Sequence, residues 1–304
     1  MFYSPNGFAK DPAVVRFKGR FFLYHSAYIP GEKPLRTAIA VSDDMENWTP
    51  AGTIPLDTEC ERNGTGAPCA IVLDGRLHLF YQTYGNWARD AICHAVSEDG
   101  LVFRKDPTNP VFRPAGLPDG EEGAPDSGWC CGRAIDADVV VFRGRLWLYY
   151  ATRDRAMKRQ MLGAASAPLG CAYGRDDFRE EMPAPILEPT LPWEKDCIEA
   201  PAAIEAGGRV WMFYGGAYNC SPQQIGLAVS DDGVRFRRVS DEPFLRNGEP
   251  GSWNASESGH PYVFRDDDGR IHLFYQGSPD GGKTWILSRA ELSFTGDGFA
   301  LRTE

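Results

Sequence analysis

The chain has 304 residues, of which 42% are hydrophobic and 24% charged, and its formal net charge is −10. An acidic chain without a basic stripe does not resemble a nucleic-acid-binding protein, and no apolar run approaches the roughly 20 residues that a membrane helix needs. We therefore expect no nucleic-acid or membrane partner, and the charge favours a small neutral or cationic substrate.

The first residues, MFYSPNGFAKD, contain neither the basic nor the apolar segment of a signal peptide. We therefore predict a cytoplasmic protein; a secreted one is expected if a signal peptide has been trimmed. The eight cysteines include no Cys-x-x-Cys pair, which disfavours a zinc site, and they are too few for a dense disulfide framework in a chain of this length. We expect mostly reduced thiols.

From residue 11 onward, one pattern occurs five times: a short apolar run, a turn with a Gly-Arg step, and a second run rich in aromatic residues. The interval between copies is roughly 55 to 70 residues, which is typical of a repeat architecture. Strand-forming residues on both sides of a glycine turn predict a β-hairpin. The turn glycines are Gly19, Gly75, Gly144, Gly208 and Gly269.

Three of the five units continue into a similar second segment, beginning at Thr37, Ile92 and Ile225. Each has a Ser-x-Asp-Gly turn or a variant of it, which predicts a second hairpin. Four strands in each of five units predict an all-β fold, a five-bladed β-propeller with four-stranded antiparallel blades. We expect one catalytic domain over residues 1–304, with the Pro- and Gly-rich stretch from Lys105 to Arg133 as a long loop.

The residue that opens the first strand of each unit is the main candidate for chemistry. Because the first strands of a propeller line its central channel, four ionisable groups are expected to converge at one end of it. Crowded carboxyl groups raise at least one pKa, so that one group stays protonated as an acid while another, ionised, activates water. That pairing performs glycoside hydrolysis. The five opening residues are Asp11, Ala67, Asp136, Glu199 and His260.

At these residues the chain resembles the family 43 glycoside hydrolases and their five-bladed relatives in families 32, 117 and 130. The resemblance implies that Asp11, in Asp-Pro, is the general base and that Asp136, in Ile-Asp, orients the substrate and adjusts the pKa of the acid. It implies that Glu199, in Glu-Ala-Pro, is the general acid. The imidazole of His260, in Gly-His, is then expected on the propeller axis, against a carboxyl group or a structural calcium ion, and no cofactor is otherwise expected.

Further side chains are predicted to bind the sugar. Trp129, Trp193 and Trp253 lie on loops of the functional face, where they either stack on a sugar ring or pack the loop. Arg133 is expected to reach a hydroxyl or the acid. Asp138 should face the same way as Asp136 by strand alternation, as a substitute for it.

The chain also departs from the family pattern, because Gly66 stands where a tryptophan is usual before Ala67-Pro68. A retaining fructosidase matches the motifs less well. A phosphorylase would use the basic residues between Arg153 and Arg159, although a solvated loop is the commoner explanation of such a cluster. A carbohydrate-binding propeller without catalysis would not need the carboxyl groups. The segment from Ser278 to Trp285 resembles a sialidase Asp-box, but it occurs once and is interpreted as a loop. The sequence leaves the sugar and the oligomeric state open.

Overall fold

The computed structural model describes residues 1–124, 126 and 128–302, which form twenty β-strands in five four-stranded antiparallel sheets. Blade 1 contains β1 (Lys10–Phe17), β2 (Arg20–Tyr28), β3 (Leu35–Ser42) and β4 (Thr49–Thr53). Blade 2 contains β5 (Thr65–Leu73), β6 (Arg76–Thr83), β7 (Ile92–Ser97) and β8 (Phe103–Lys105). Blade 3 contains β9 (Ile135–Phe142), β10 (Arg145–Arg153), β11 (Gln160–Pro168) and β12 (Arg179–Glu180).

Blade 4 contains β13 (Ile198–Ala206), β14 (Arg209–Gly216), β15 (Gln224–Ser230) and β16 (Arg237–Arg238). Blade 5 contains β17 (Glu257–Arg265), β18 (Ile271–Ser278), β19 (Ile286–Phe294) and β20 (Phe299–Leu301). Short 3-10 helices occur at Pro5–Gly7, Glu59–Glu61 and Trp87–Arg89. None of the helices in the described ranges is long and apolar enough to cross a membrane. The predicted five-bladed propeller is confirmed.

The Gly-Arg hairpins are the inner halves of the blades, as predicted. In blade 1, Lys18 and Gly19 have φ values of 50° and 84°, and the corresponding turns of blades 2, 3 and 4 repeat this pair of positive φ values. Two consecutive residues with positive φ make the type I′ turn, whose twist matches that of the strands beside it. A glycine at the second position supplies this geometry without steric cost.

The Ser-x-Asp-Gly segments form the predicted turns between the third and fourth strands. In blade 2, Ser97 Oγ accepts a hydrogen bond from Gly100 N, and Asp99 Oδ1 accepts bonds from Leu101 N and Val102 N. These turns also hold neighbouring blades together, because Tyr24 of blade 1 donates its hydroxyl to Gly100 O at 2.8 Å. A Cβ atom at Gly100 would lie 2.5 Å from the Phe22 ring, which explains why this position is a glycine.

The five innermost strands, β1, β5, β9, β13 and β17, surround the axis, each beside the next, and β17 lies beside β1. The N-terminal segment helps to close this ring, because Tyr3 pairs with Leu287 of β19 through two backbone hydrogen bonds. Between blades, a buried aromatic residue occurs at the same position in the second strand of each blade. Large rings of this kind each bury roughly 150–250 Å² of surface. They are Tyr24, Phe80, Tyr149, Phe213 and Phe274.

Candidate active site

Each innermost strand loses its regular pairing register close to its first residues. At each of these breaks one residue other than glycine has a positive φ, between 39° and 54°. A β-bulge of this kind bends the strand and redirects a side chain. The propeller therefore presents five bulges around one axis. The bulged residues are Asp11, Ala67, Asp136, Ala200 and His260.

The structure corrects the expected equivalence in blade 4. There the bulged residue is Ala200, which precedes its turn glycine, Gly208, by the same number of residues as Asp11 precedes Gly19. Glu199 comes one residue earlier, so it is not the structural counterpart of Asp11 and Asp136. Its side chain still reaches the same pocket, because Asp11, Asp136, Glu199 and His260 all line it.

In four of the five blades, a side chain from the preceding blade accepts a hydrogen bond from the backbone N–H of the bulged residue. We call the four residues that accept these bonds the bulge acceptors. Gln276 Oε1 accepts from Asp11 N at 3.1 Å, Ser26 Oγ from Ala67 N at 2.9 Å, Gln82 Oε1 from Asp136 N at 2.6 Å, and Gln223 Oε1 from His260 N at 3.2 Å. Ser26, Gln82 and Gln276 occupy the same position of their second strands. Blade 4 has Gly215 there, and Gln223 fills the space that its side chain would take.

The pocket above the bulges has a volume of about 290 Å³. On the other side of the bulges, a crevice of about 20 Å³ continues along the axis, which is too small for a sugar. The pocket is therefore the place where a substrate meets the carboxyl groups. Besides those groups and His260, its lining includes Phe8, Lys10, Ser26, Tyr28, Gln82, Tyr84, Arg133, Arg153, Gln160, Tyr218, Asn219 and Trp285.

His260 lies between two of the three carboxyl groups. Its Nδ1 is 2.9 Å from Asp11 Oδ1 and its Nε2 is 3.2 Å from Glu199 Oε1. Burial alone would lower the pKa of this imidazole, but the two carboxylates outweigh burial and raise the pKa well above its usual range. The ring is therefore an imidazolium that bridges Asp11 and Glu199, and the prediction that it faces a carboxyl group is confirmed.

The three carboxyl groups differ in their affinity for a proton. Burial raises the pKa of Asp136 to about 7, and the nearby charges of Glu199 and Asp11 add to the effect. Burial would also raise the pKa of Asp11 and of Glu199, but contact with His260 outweighs it and lowers both. Without a ligand, Asp136 is therefore the carboxyl group of this cluster that holds a proton most readily. The expectation that Asp136 raises the pKa of Glu199 above its usual range is wrong for this state.

Besides His260, which lowers the pKa of Glu199 most, two amide groups contact this carboxylate. Gln223 Nε2 donates to Glu199 Oε1 at 2.6 Å, and Gln160 Nε2 donates to Glu199 Oε2. Both oxygen atoms of this carboxylate therefore accept bonds from amide groups, which favours the ionised form. The sequence reasoning missed Gln160 and Gln223, because each comes from a third strand or the loop before it rather than from the innermost strands.

Asp138 does not have the position that strand alternation predicted. The bulge at Asp136 interrupts the alternation, and Asp138 lines the narrow crevice instead of the pocket. Its Oδ2 accepts a hydrogen bond from Ala203 N of blade 4 at 2.6 Å, and burial raises its pKa to about 7. Asp138 is thus a link between blades 3 and 4.

The predicted tryptophans are also placed elsewhere. Trp129 lies in a separate groove, where its Nε1 is 3.3 Å from Glu180 Oε1, and Trp193 stacks on Tyr214. Trp253 packs against Phe2 and Tyr275. These rings pack loops against blades, which was the alternative left open for them.

Other aromatic residues line the pocket in their place, namely Phe8, Tyr28, Tyr84, Tyr218 and Trp285. Trp285 belongs to the segment that resembled an Asp-box, and this segment is a loop, as predicted. The Trp285 ring lies 4.3 Å from Lys10 Nζ. Arg133 is at the pocket, as predicted. Arg153 lines it too, although its basic cluster was read as a solvated loop.

Asp136, Glu199 and His260 offer ligand atoms within 4.8 Å of one another, the arrangement that a metal ion would need. Their existing contacts fit calcium poorly, since that ion takes six to eight oxygen ligands. Both nitrogens of His260 already face carboxylates, and both oxygens of Glu199 already accept amide bonds. Calcium on the axis stays a prediction, for metal analysis of the purified protein to test.

Comparison with known proteins supports the same interpretation of the chain. The model of "Glycosyl hydrolases family 43" matches residues 5–292. Among curated proteins, a β-xylosidase of Xylanibacter ruminicola is 27% identical over 123 residues, which are 40% of this chain and 32% of that protein. The match thus spans about a third of the relative.

Solved structures share the fold. A thermostable family-43 glycoside hydrolase superposes with a TM-score of 0.75 and 20% identity, over 97% of this chain and 93% of the other. An endo-1,4-β-xylanase from Bacteroides thetaiotaomicron gives a TM-score of 0.74 at 17% identity, over 99% and 96%. At these identities the likeness concerns the propeller itself.

Proposed function

The chain belongs to glycosyl hydrolase family 43, and from this premise we propose that it hydrolyses a glycosidic bond of an oligo- or polysaccharide, with inversion at the anomeric carbon. The observation that carries the proposal is the pocket of about 290 Å³ whose three carboxyl groups have pKa values shifted in opposite directions. One proton donor and one ionised base are the two groups that this reaction requires.

Asp11 is the general base in this proposal. The His260 imidazolium keeps its carboxylate ionised, so it can take a proton from a water molecule near neutral pH. The oxygen of that water forms a bond to the anomeric carbon while the bond from that carbon to the leaving oxygen breaks. Gln276 holds the bulge that directs Asp11 into the pocket.

Glu199 is the general acid, and substrate binding supplies its proton. Without substrate, Asp136 holds a proton more readily than Glu199 does. A sugar hydroxyl that donates to Asp136 favours the ionised carboxylate there, because a hydrogen bond to the charged form stabilises it. The new negative charge then raises the proton affinity of the neighbouring Glu199. Protonated Glu199 gives this proton to the leaving oxygen, and Asp136 keeps the sugar oriented.

The spacing of the base and the acid supports inversion. An imidazole ring with a close contact at each end separates the nearest oxygens of Asp11 and Glu199. The two carboxylates therefore lie at different nitrogens of the ring, a spacing that suits an attacking water better than direct attack by a carboxylate, which needs about 5 to 5.5 Å. A retaining fructosidase mechanism is disfavoured by the same spacing.

A panel of aryl glycosides tests the proposal, with pentosides included because relatives of this chain are named as a xylosidase and a xylanase. Each compound is incubated with and without inorganic phosphate. We expect release of the free sugar at the same rate in both conditions. Formation of a sugar 1-phosphate would replace hydrolysis by phosphorolysis, and sugar binding without turnover of any compound would identify a binding propeller.

A further inference from the structure

The charge around the pocket is opposite to the charge of the whole protein. Three carboxyl groups line the pocket, those of Asp11, Asp136 and Glu199. Four cationic groups line it as well: Lys10, Arg133, Arg153 and His260. A protein with a net charge of −10 therefore has a locally positive pocket, which does not fit the neutral or cationic substrate that the net charge favoured.

Arg133 has more donors than partners. Its side chain is only 9% exposed, and its closest carboxylate oxygen, Asp90 Oδ2, is 3.6 Å from its Nη2. The other Asp90 oxygen already accepts bonds from Thr83 Oγ1 and Asn86 N. The Nε of Arg133 is buried and has no hydrogen-bond partner among the described residues. A buried guanidinium with unused donors costs free energy unless something binds to it.

Arg153, at the end of β10, is the second guanidinium. Within the described part of the chain, no carboxylate oxygen lies within 4.0 Å of it. Its Nε donates to Gln160 Oε1 at 3.1 Å and its Nη1 to Met157 O at 3.4 Å, which leaves Nη2 without a hydrogen bond. The exposed ring of Trp87 lies 5.3 Å from the Arg153 guanidinium and 6.0 Å from that of Arg133, so both groups border one space.

We propose that Arg133 and Arg153 bind an oxyanion, the carboxylate of a uronic acid unit, so that the substrate is an acidic glycoside. Paired guanidinium groups suit a carboxylate because their planar donors match its two oxygens. The inference deepens the proposed function and rests on it for the reaction, though not for the binding.

The position of the two arginines favours a substrate carboxylate over inorganic phosphate, which offers similar oxygen atoms. Both come from blade 3, Arg133 just before β9 and Arg153 at the end of β10, on the side of Asp136 and Glu199. A phosphate nucleophile would have to replace the water beside Asp11, which belongs to blade 1. An anion held by the arginines is therefore beside the sugar or the leaving group.

Binding of monosaccharides by the full chain tests the proposal. The dissociation constants of D-glucuronate and D-galacturonate are compared with those of D-glucose and D-galactose, by calorimetry and tryptophan fluorescence. We expect at least one uronate to bind about tenfold more tightly than its neutral parent, and the difference to shrink as NaCl is raised. Arg153→Met and Arg133→Met should abolish the preference, and Arg153→Lys should keep part of it.

Arg159→Met is the matched control, because Arg159 is in the same loop but pairs with Glu188 and does not line the pocket. It should leave the preference unchanged. Equal binding of uronates and neutral sugars by the wild-type chain would overturn the inference, even if the arginine variants fail to fold. So would tighter binding of inorganic phosphate together with a sugar 1-phosphate product.

The two proposals fail in different ways. Hydrolysis of neutral aryl glycosides without any preference for uronates would leave the proposed function intact and remove the acidic substrate. Preferential binding of uronates without hydrolysis of any glycoside or uronide would keep the anion site and remove the proposed function.

Discussion

The innermost strands of blades 2 and 3 have the same backbone and different chemistry. Both contain a bulge with a positive φ, at Ala67 in β5 and at Asp136 in β9. In both, a side chain of the preceding blade accepts the N–H of the bulged residue, Ser26 in one case and Gln82 in the other. Yet one bulge presents a methyl group and the other a carboxyl group with a raised pKa.

This comparison shows that the strained conformation belongs to the fold. Unfavourable backbone angles often mark functional sites, because the surrounding structure must hold them in place. Here Ala67 and Ala200 have similar positive φ values without any ionisable group. The propeller provides five equivalent positions, and the chemistry depends on the side chains that occupy three of them, together with Glu199 beside a fourth.

The largest effect is expected from Glu199, which also has no carboxyl counterpart in blade 2. Glu199→Gln should reduce kcat/KM by about 10²- to 10⁴-fold on glycosides with poor leaving groups, because these need the proton. Activated aryl glycosides should lose much less. The measurement is a leaving-group series with both proteins.

Glu205→Gln is the control for this variant, since Glu205 is at the opposite end of β13 and accepts a bond from the turn residue Gly208. It should retain activity across the series. If Glu199→Gln were as active as the wild type on a poor leaving group, another residue would have to be the acid.

Asp136→Ala would convert the bulge of blade 3 into that of blade 2. The fold should persist, with a Tm close to that of the wild type, while kcat/KM falls by about 10²-fold or more. A large loss of Tm would show instead that the Asp136 carboxyl group helps to stabilise the fold.

Asp136→Asn should change the pH dependence of kcat/KM. In the wild type the proton shared by Asp136 and Glu199 leaves with a pKa of about 7, so kcat/KM should fall above that pH. Without the Asp136 carboxylate, Glu199 loses the neighbour that raises its proton affinity, and the alkaline limb should move to lower pH. If the alkaline limb stays at the same pH in the variant, Asp136 does not affect the protonation of the general acid.

Substitution of a bulge acceptor should reduce activity less than substitution of the carboxyl group that the acceptor positions. Gln82→Leu removes the acceptor of Asp136 N, and we expect kcat to fall about tenfold with a smaller change of KM. Gln82→Ser gives blade 2 the acceptor that blade 1 has at Ser26 and should restore part of kcat. Equal losses in both variants would point to packing rather than to positioning.

The smallest effect is expected at Ala67, the bulged residue of blade 2, which has no ionisable group. Ala67→Gly relieves a φ of 39° and should change the free energy of unfolding by about 1 kcal/mol or less, in the stabilising direction, with activity retained. Ala70→Gly, in the regular part of the same strand, should instead destabilise by about 0.5 to 1 kcal/mol. Thermal or urea unfolding of both variants checks the contrast.

The repeat made most of the fold predictable. The Gly-Arg turns and the Ser-x-Asp-Gly turns are local features, so the sequence alone located the hairpins and the blades. The same repeat found the bulged residue in four of the five blades and missed it by one residue in blade 4. The bulges themselves were not predicted, because a break of register depends on the neighbouring blade; this is why Asp138 and Glu199 were placed incorrectly relative to Asp136.

The rest of the site depends on contacts between distant segments. Gln160 and Gln223 reach Glu199 from outside the innermost strands, and Arg153 lines the pocket from the end of β10, next to a segment that was interpreted as a solvated loop. The aligned positions of Ser26, Gln82 and Gln276 could have indicated the bulge acceptors. The pKa order of Asp136 and Glu199 could not be read from spacing, since it depends on which carboxylate receives hydrogen bonds.

The configuration of the product reports whether Asp11 activates water while Glu199 protonates the leaving group across the pocket. Proton NMR of the first product formed from an aryl glycoside, recorded before mutarotation, reports that configuration. If Asp11 activates water, the product is the anomer opposite to that of the substrate. A product with the same anomeric configuration would show that a covalent intermediate forms, and would contradict the roles assigned to Asp11 and Glu199.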